Sequence, residues 1–196
     1  YNSMVILDNK LNLISEYNKI NLVPFGEFLP FEKFFKKFGL KKISYGYESF
    51  SAGNDRQLIS LNDKNFNFIP LICYEIIYSG KVNLKSDKTN FIINISEDGW
   101  FGDSIGPHQH FSHTIFRAIE EGKNIIRSTN NGISAYIDSN GIVISKLEST
   151  KKGVIEINKY KKFNETLFSK FGNKIFFYIL LFYISVIFFL KKWEIK

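Results

Sequence analysis

The residues with the clearest chemistry are a thiol, an amine and a carboxylate in three separate stretches. The only cysteine, Cys73, ends the apolar run 66–72, whereas Lys19 lies on a strand-like stretch and Glu27 in a proline-bounded turn. A thiolate is the reactive form of cysteine, and a nearby cation favours it. A carboxylate can take and return the thiol proton, and the amine can stabilise an oxyanion. Together these residue types predict a cysteine nucleophile that attacks a carbonyl.

Each residue also has a plainer interpretation. A lone cysteine such as Cys73 is more often a small buried hydrophobic residue than a nucleophile. Lys19 and Glu27, taken singly, are typical of solvated surface charges. The catalytic hypothesis therefore depends on a fold that brings the three stretches together.

The predicted elements are short strands with one clear helix between them. The helix has an apolar face formed by Phe111, Ile115, Ala118 and Ile119, and Gly122 is well placed to end it. Such a mixture favours a layered α/β sandwich. The strands are predicted at 3–7, 11–17, 66–72, 91–95, 125–128, 134–137 and 142–145, the first two as a hairpin around 8–10.

Several ordered motifs carry a family resemblance. They are Tyr17-x-Lys19-x-x-Leu22-x-Pro24, then Gly26-Glu27, and then Cys73-Tyr74-Glu75. In this order they resemble the carbon–nitrogen hydrolase (nitrilase) superfamily. The stretches 100–107, 109–111 and 117–132 narrow the resemblance to its membrane-bound acyltransferases, which add an acyl chain to bacterial lipoproteins. The resemblance implies a nitrilase-like α-β-β-α sandwich.

The resemblance also implies a Glu-Lys-Cys triad. Lys19 and Cys73 match its lysine and cysteine, whereas the first glutamate belongs to a segment before the first strand. Glu16 is no substitute, because its odd spacing from Lys19 puts the two on opposite faces of a strand. We therefore expect residues 1–165 to be the C-terminal part of a larger catalytic domain, and the isolated chain to be inactive.

The implied reaction is a two-step acyl transfer. The Cys73 thiolate attacks an ester of a membrane phospholipid, and the resulting thioester passes its acyl group to the amine of a lipoprotein's diacylglyceryl-cysteine. No metal or diffusible cofactor is implied. Lys19 and the Tyr74 backbone N–H would stabilise the oxyanion, and Glu27 would assist in positioning or proton transfer. Glu75 would brace the thiol. Trp100 would line the acyl or headgroup site.

Two other functions stay open at this stage. One is a superfamily amidase that hydrolyses a C–N bond with the same Lys19 and Cys73. The other is a membrane-anchored binding protein without enzymatic activity, in which Cys73 is merely buried. A terminal membrane span favours the acyltransferase over the amidase.

Two segments predict contact with a membrane. Residues 175–190 are uncharged and apolar on all sides, which favours a transmembrane helix over 172–192 more than a buried core helix. The segment 31–42 alternates phenylalanines with lysines at helical spacing. It is either a helix packed on the protein's own core or an interfacial lid over the thiol. The resemblance places the protein in the bacterial inner membrane with its catalytic domain in the periplasm.

Three further features affect the site or the partners. Glu97 stands where the superfamily usually has Asn. The cluster of His108, His110 and His113 fits no common metal-binding spacing, so hydrogen bonding at a helix start or a solvated face is favoured over a metal site. The net charge of +7 is supplied mainly by lysine. Without clustered arginines, it does not indicate a nucleic-acid surface.

Overall fold

The computed structural model describes residues 1–39, 49–61, 66–82, 88–160 and 165–194. Short 3₁₀ turns follow two of the strands, at Cys73–Ile77 and Asp98–Phe101. The elements in chain order are β1 (Ser3–Leu7), β2 (Leu13–Asn18), α1 (Glu32–Lys37), β3 (Ile59–Leu61), β4 (Phe66–Ile72), β5 (Phe91–Glu97), α2 (Gly106–Glu121), β6 (Asn124–Asn130), β7 (Ser134–Ile137), β8 (Val143–Leu147), α3 (Leu167–Phe171) and α4 (Lys174–Glu194).

The main sheet has six strands in the order β3-β4-β5-β6-β7-β8. Its three inner strands, β4, β5 and β6, are parallel, and the flanking pairs are antiparallel. Parallel strands place their carboxyl ends at one edge of the sheet. Cys73 follows β4 and Asp98 follows β5, so both residues lie at this edge.

Two hydrophobic cores cover the two faces of this sheet. One core packs α2 against residues such as Ile69, Ile92 and Ile125. The other packs the β1–β2 hairpin, through Met4 and Tyr17, against the opposite face. The layers are therefore helix, sheet and hairpin, which agrees with the α/β sandwich that the sequence predicts.

The observed elements follow the predicted ones closely, with one correction on α2. The bounds of β1, β4 and β7 agree with the prediction, and Gly122 ends α2 in the left-handed region at φ +61°. Ile119, however, is 46% exposed, so its predicted place on the buried face is wrong. The buried stripe runs through 107, 111, 114 and 118, and position 119 lies about 100° round the helix from 118.

The segments expected to touch a membrane are exposed where the structure describes them. Within α4, Lys174–Lys191 is long and apolar enough to cross a bilayer, and none of it is buried against the described residues. Phe34 in α1 and Phe38 directly after it are also exposed, so these two rings do not pack on the core. Residues 40–42 lie outside the described part of the chain. Spanning by α4 and the lid role of 31–42 stay predictions.

Candidate active site

Cys73 lies at the point where β4 ends and the chain turns sharply. Its φ is +51°, in the left-handed region that costs a residue with a Cβ about 1–2 kcal/mol. The Asn94 side chain donates to the carbonyl oxygens of Leu71 and Cys73, at 3.3 and 3.5 Å. Cys73 is half-buried and packs against the core on the hairpin face of the sheet, so it is neither fully buried nor freely exposed.

Lys19 and Glu27 form an ion pair close to this turn. The Nζ of Lys19 lies 2.9 and 2.8 Å from the two carboxylate oxygens of Glu27. The Lys19 side chain is fully buried and that of Glu27 is 13% exposed, so Lys19 is not a solvated surface charge. The Glu27 carboxylate also accepts hydrogen bonds from the Asn2 side chain and the Val23 N–H, at 2.6 and 2.8 Å. Its oxygens are thus occupied in holding the lysine in place.

A cavity of about 300 Å³ brings four of the predicted site residues together. Cys73, Tyr74, Glu27 and Trp100 all line it. Lys19 is not part of its wall and reaches the site through its pairing with Glu27. Val23, Pro24, Gly26, Glu97, Phe101 and His110 complete the lining. The cavity therefore combines apolar wall residues with a thiol, two carboxylates and an imidazole.

Glu75 lies outside that cavity and braces the surrounding backbone. Its buried carboxylate accepts hydrogen bonds from the backbone N–H groups of Ile72, Ile20 and Asn21, at 2.8, 3.0 and 3.2 Å. Ile72 precedes Cys73, and Ile20 follows Lys19. One carboxylate thus ties the nucleophile's strand to the lysine's loop, although the two are more than fifty residues apart.

Two further side chains complete the environment of Glu75. The Tyr17 hydroxyl donates to it at 2.8 Å, and Arg56 lies 3.4 Å away. Burial is the main cause that raises the pKa of Tyr17, so the phenol keeps its proton and remains a donor. No pattern in the sequence pointed to Arg56 in this role.

A buried charged network behind Cys73 was not predicted. One oxygen of Asp98 lies 3.0 Å from His110 Nδ1 and accepts from Ser96 at 2.6 Å, and the other lies 2.7 Å from Arg127 Nη2. Arg127 also donates to Asn94. Burial alone would raise the pKa of Asp98, but the His110 hydrogen bond and the Arg127 charge outweigh it and hold this pKa below its usual value. The sequence signal for this network was a charged residue, Arg127, inside the predicted strand 125–128.

The three histidines do not act together. His110 is buried in the charged network, whereas His108 and His113 are exposed. Hydrogen bonding at a helix start therefore does not describe His110, whose partners are Asp98 and Arg127. Within the described ranges, no group of three or more His, Cys, Asp or Glu side chains is placed to hold a metal ion.

Glu97 caps the turn that carries Trp100. Its carboxylate accepts from the Gly99 N–H at 2.8 Å and from the Asn130 side chain. Trp100 is 63% exposed although it lines the cavity, so the ring lies at the opening. The roles of Cys73, Lys19 and the other site residues stay predictions until they are tested.

Comparisons with known proteins agree with this geometry. The family model described as carbon-nitrogen hydrolase matches residues 1–158. An apolipoprotein N-acyltransferase from Brucella melitensis is 38% identical over 156 residues, which are 80% of this chain and 29% of that protein. One from Bradyrhizobium diazoefficiens is 35% identical over 173 residues, which are 88% and 32%. The chain thus spans about a third of the length of these relatives.

A solved structure supports the fold independently. An amidase from Nesterenkonia sp. superposes with a TM-score of 0.52 at 14% identity, over 75% of this chain and 51% of that one. At this identity the likeness concerns the fold alone. Together with the family match, it shows that the chain belongs to the carbon–nitrogen hydrolase family and has its nitrilase-like α/β fold.

Proposed function

We propose that this protein is an acyltransferase that moves an acyl chain from a membrane phospholipid to the N-terminal diacylglyceryl-cysteine of a lipoprotein. The observation that carries the proposal is the single cavity shared by Cys73 and Glu27, whose carboxylate holds the Lys19 ammonium. The relatives named apolipoprotein N-acyltransferase support the substrate class.

The first step forms a thioester on Cys73. The first glutamate of the family's triad takes the thiol proton. The thiolate then attacks the ester carbonyl of the phospholipid. Lys19 and the Tyr74 backbone N–H stabilise the oxyanion, while Glu27 keeps the lysine in place. The carbon–oxygen bond then breaks, and the departing glycerol oxygen takes the proton, so a lysophospholipid leaves.

The second step transfers the acyl group to the lipoprotein. The amine of the diacylglyceryl-cysteine attacks the thioester carbon, the carbon–sulfur bond breaks, and Cys73 regains a proton. The product is an amide. Because the first product leaves before the second substrate reacts, the kinetics are ping-pong.

The exposed apolar segments fit a reaction at a bilayer. The helix α4 would anchor the protein in the bacterial inner membrane, with the cavity facing the periplasm. Phe34 and Phe38 follow closely on the turn of Glu27 and are exposed, as side chains that admit acyl chains from the lipid surface would be.

The test uses the protein as its reading frame encodes it, in membranes, with an acyl-labelled phospholipid and a diacylated lipopeptide. We expect mass spectrometry to find the label on the peptide that contains Cys73, and the lipopeptide to remove it. Lys19→Met should abolish the labelling, whereas Lys10→Met, at an exposed lysine, should leave it unchanged. Absence of a thioester in the unaltered protein would contradict the proposal and favour a binding protein.

An amidase is the second candidate, because solved amidases share the fold. A mutant of the Nesterenkonia amidase shows covalent addition of the acetamide moiety of fluoroacetamide at its active site cysteine. Product analysis separates the candidates. Release of free carboxylate from amides, without acylation of the lipopeptide, would favour the amidase.

A further inference from the structure

His110 is a buried residue of the cavity wall with one ring nitrogen paired and the other unpaired among the described residues. Its ring is 4% exposed and forms part of the wall of the Cys73 cavity. Its Nδ1 lies 3.0 Å from Asp98 and 3.1 Å from Arg127. Nε2, on the opposite edge, is buried and has no hydrogen-bond partner among the described residues.

Nδ1 faces an acceptor, Asp98, and a donor, Arg127, and the role of each contact depends on which nitrogen of the ring carries the proton. Asp98 is held as a carboxylate by Arg127 and Ser96, at 2.7 and 2.6 Å. A carboxylate only accepts hydrogen bonds, so a His110 ring with its proton on Nδ1 donates to Asp98, whereas Arg127, 3.1 Å from the same nitrogen, can only donate. In that tautomer Nε2 keeps a free lone pair and has no partner among the described residues, in a side chain that forms part of the cavity wall. Buried polar atoms without a partner are uncommon in folded proteins, so this one calls for a functional explanation.

The carboxylates of the same cavity are less available as proton acceptors. Glu27 already accepts from Lys19, Asn2 and the Val23 N–H. Glu97 accepts from the Gly99 N–H and from Asn130. His110 Nε2 is therefore set apart from these carboxylates by having no hydrogen-bond partner among the described residues.

We propose that His110 Nε2 accepts the proton that the lipoprotein amine loses when it attacks the thioester on Cys73. This inference rests on the proposed function and concerns its second step. The nitrogen–carbon bond forms as the proton moves to Nε2, and the carbon–sulfur bond then breaks. The imidazolium returns the proton to the Cys73 sulfur, so the products are an amide and a thiol. Asp98 stabilises the transient imidazolium and keeps the ring in position.

Two substitutions separate this role from a structural one. His110→Asn places an amide where Nδ1 was, so it keeps a bond to Asp98 but removes the base from the cavity. His110→Gln places its amide near the former Nε2 and gives up the Asp98 bond. His113→Asn changes an exposed histidine of the same helix and is the matched control.

The experiment measures the two half-reactions separately in the protein as its reading frame encodes it. Thioester formation is followed with an acyl-labelled phospholipid alone, and transfer is followed after a diacylated lipopeptide is added. We expect His110→Asn to form the thioester at the normal rate and to melt no lower than His110→Gln, while transfer slows by about 100-fold or more. His113→Asn should match the unaltered protein in both steps.

The possible results are distinguishable. Normal transfer by His110→Asn, with impairment of His110→Gln in both steps, would overturn the inference and assign His110 a structural role. Equal slowing of both steps in His110→Asn would also overturn it. If the unaltered protein formed no thioester at all, the proposed function itself would fail. Normal thioester formation with slow transfer in His110→Asn alone would support both.

Discussion

Replacing Glu75 by Gln should destabilise the protein, although the side chain keeps its shape. The Glu75 carboxylate is fully buried and accepts backbone N–H groups on both of its oxygens. Ile20 and Asn21 donate to one oxygen, and Ile72 donates to the other. A glutamine amide has only one oxygen. Whichever way it is oriented, its NH₂ group faces a backbone donor.

The magnitude follows from the groups left without partners. A buried donor without an acceptor costs about 1–3 kcal/mol, and loss of a charge-assisted bond is of similar size. Arg56, whose side chain is 9% exposed, also loses its 3.4 Å ionic contact. Breaking a buried ion pair by removing one partner typically costs about 3–5 kcal/mol. We expect Glu75→Gln to lower the free energy of unfolding by about 3 kcal/mol, the lower end of this range, because the glutamine oxygen retains some of the hydrogen bonds.

The assay is thermal unfolding of the detergent-solubilised protein. For a domain of this size each kcal/mol corresponds to about 2–4 °C, so Glu75→Gln should lower the melting temperature by about 6–12 °C. The control is Glu16→Gln, because Glu16 is exposed on β2, and it should change stability by less than about 0.5 kcal/mol. If Glu75→Gln melted within about 2 °C of the unaltered protein, roughly the change expected of the control, the bracing role would be refuted.

Three further predictions concern other parts of the molecule. The free energy of unfolding of Cys73→Gly should exceed that of Cys73→Ala by about 0.5–1 kcal/mol, because glycine relieves the left-handed strain at some cost in chain entropy. A more stable alanine variant in urea unfolding would count against strain at this turn. The pKa of Asp98 is depressed in the folded state, so its contribution to stability is present above its unfolded pKa and is lost as the pH falls through the folded one. The difference in melting temperature between the unaltered protein and Asp98→Asn should therefore narrow below about pH 4, and a constant difference would refute this. Leu181→Arg should release the protein from membranes in carbonate extraction, because arginine at the centre of a span costs about 2.5–3.5 kcal/mol, whereas Leu181→Ala should stay bound.

Many of the strands and turns that position the site can be predicted from local sequence. The strand Phe66–Ile72 and the turn after it are predictable because an apolar run of strand length ends abruptly at Cys73. The same holds for Gly122, since a glycine after an apolar helical face is a common helix end. Local patterns succeed here because the hydrophobic effect and backbone preferences act over a few neighbouring residues.

The charged network was missed because its members are brought together by tertiary structure. Asp98 and Arg127 are 29 residues apart, and each alone is typical of a surface residue. Only the parallel register of β5 and β6 places them side by side, with Asn94 opposite Arg127. Sequence periodicity carries no information on that register, so the partners of a buried charge are hard to predict from sequence.

The two buried carboxylates, Glu75 and Asp98, both fix the edge of the sheet that carries Cys73. Glu75 follows β4 and binds the loop after Lys19, whereas Asp98 follows β5 and binds Arg127 on β6. Each therefore ties the carboxyl end of one inner strand to a neighbouring segment, and Cys73 lies between them at the same edge of the sheet. A nucleophile on a strained turn relaxes away from its reactive position unless its surroundings prevent it. A movement that separates these groups would leave a buried charge without its partner, which is costly, so the hydrogen bonds oppose it. Substitution of Glu75 or Asp98 itself should therefore impair thioester formation even where the fold survives.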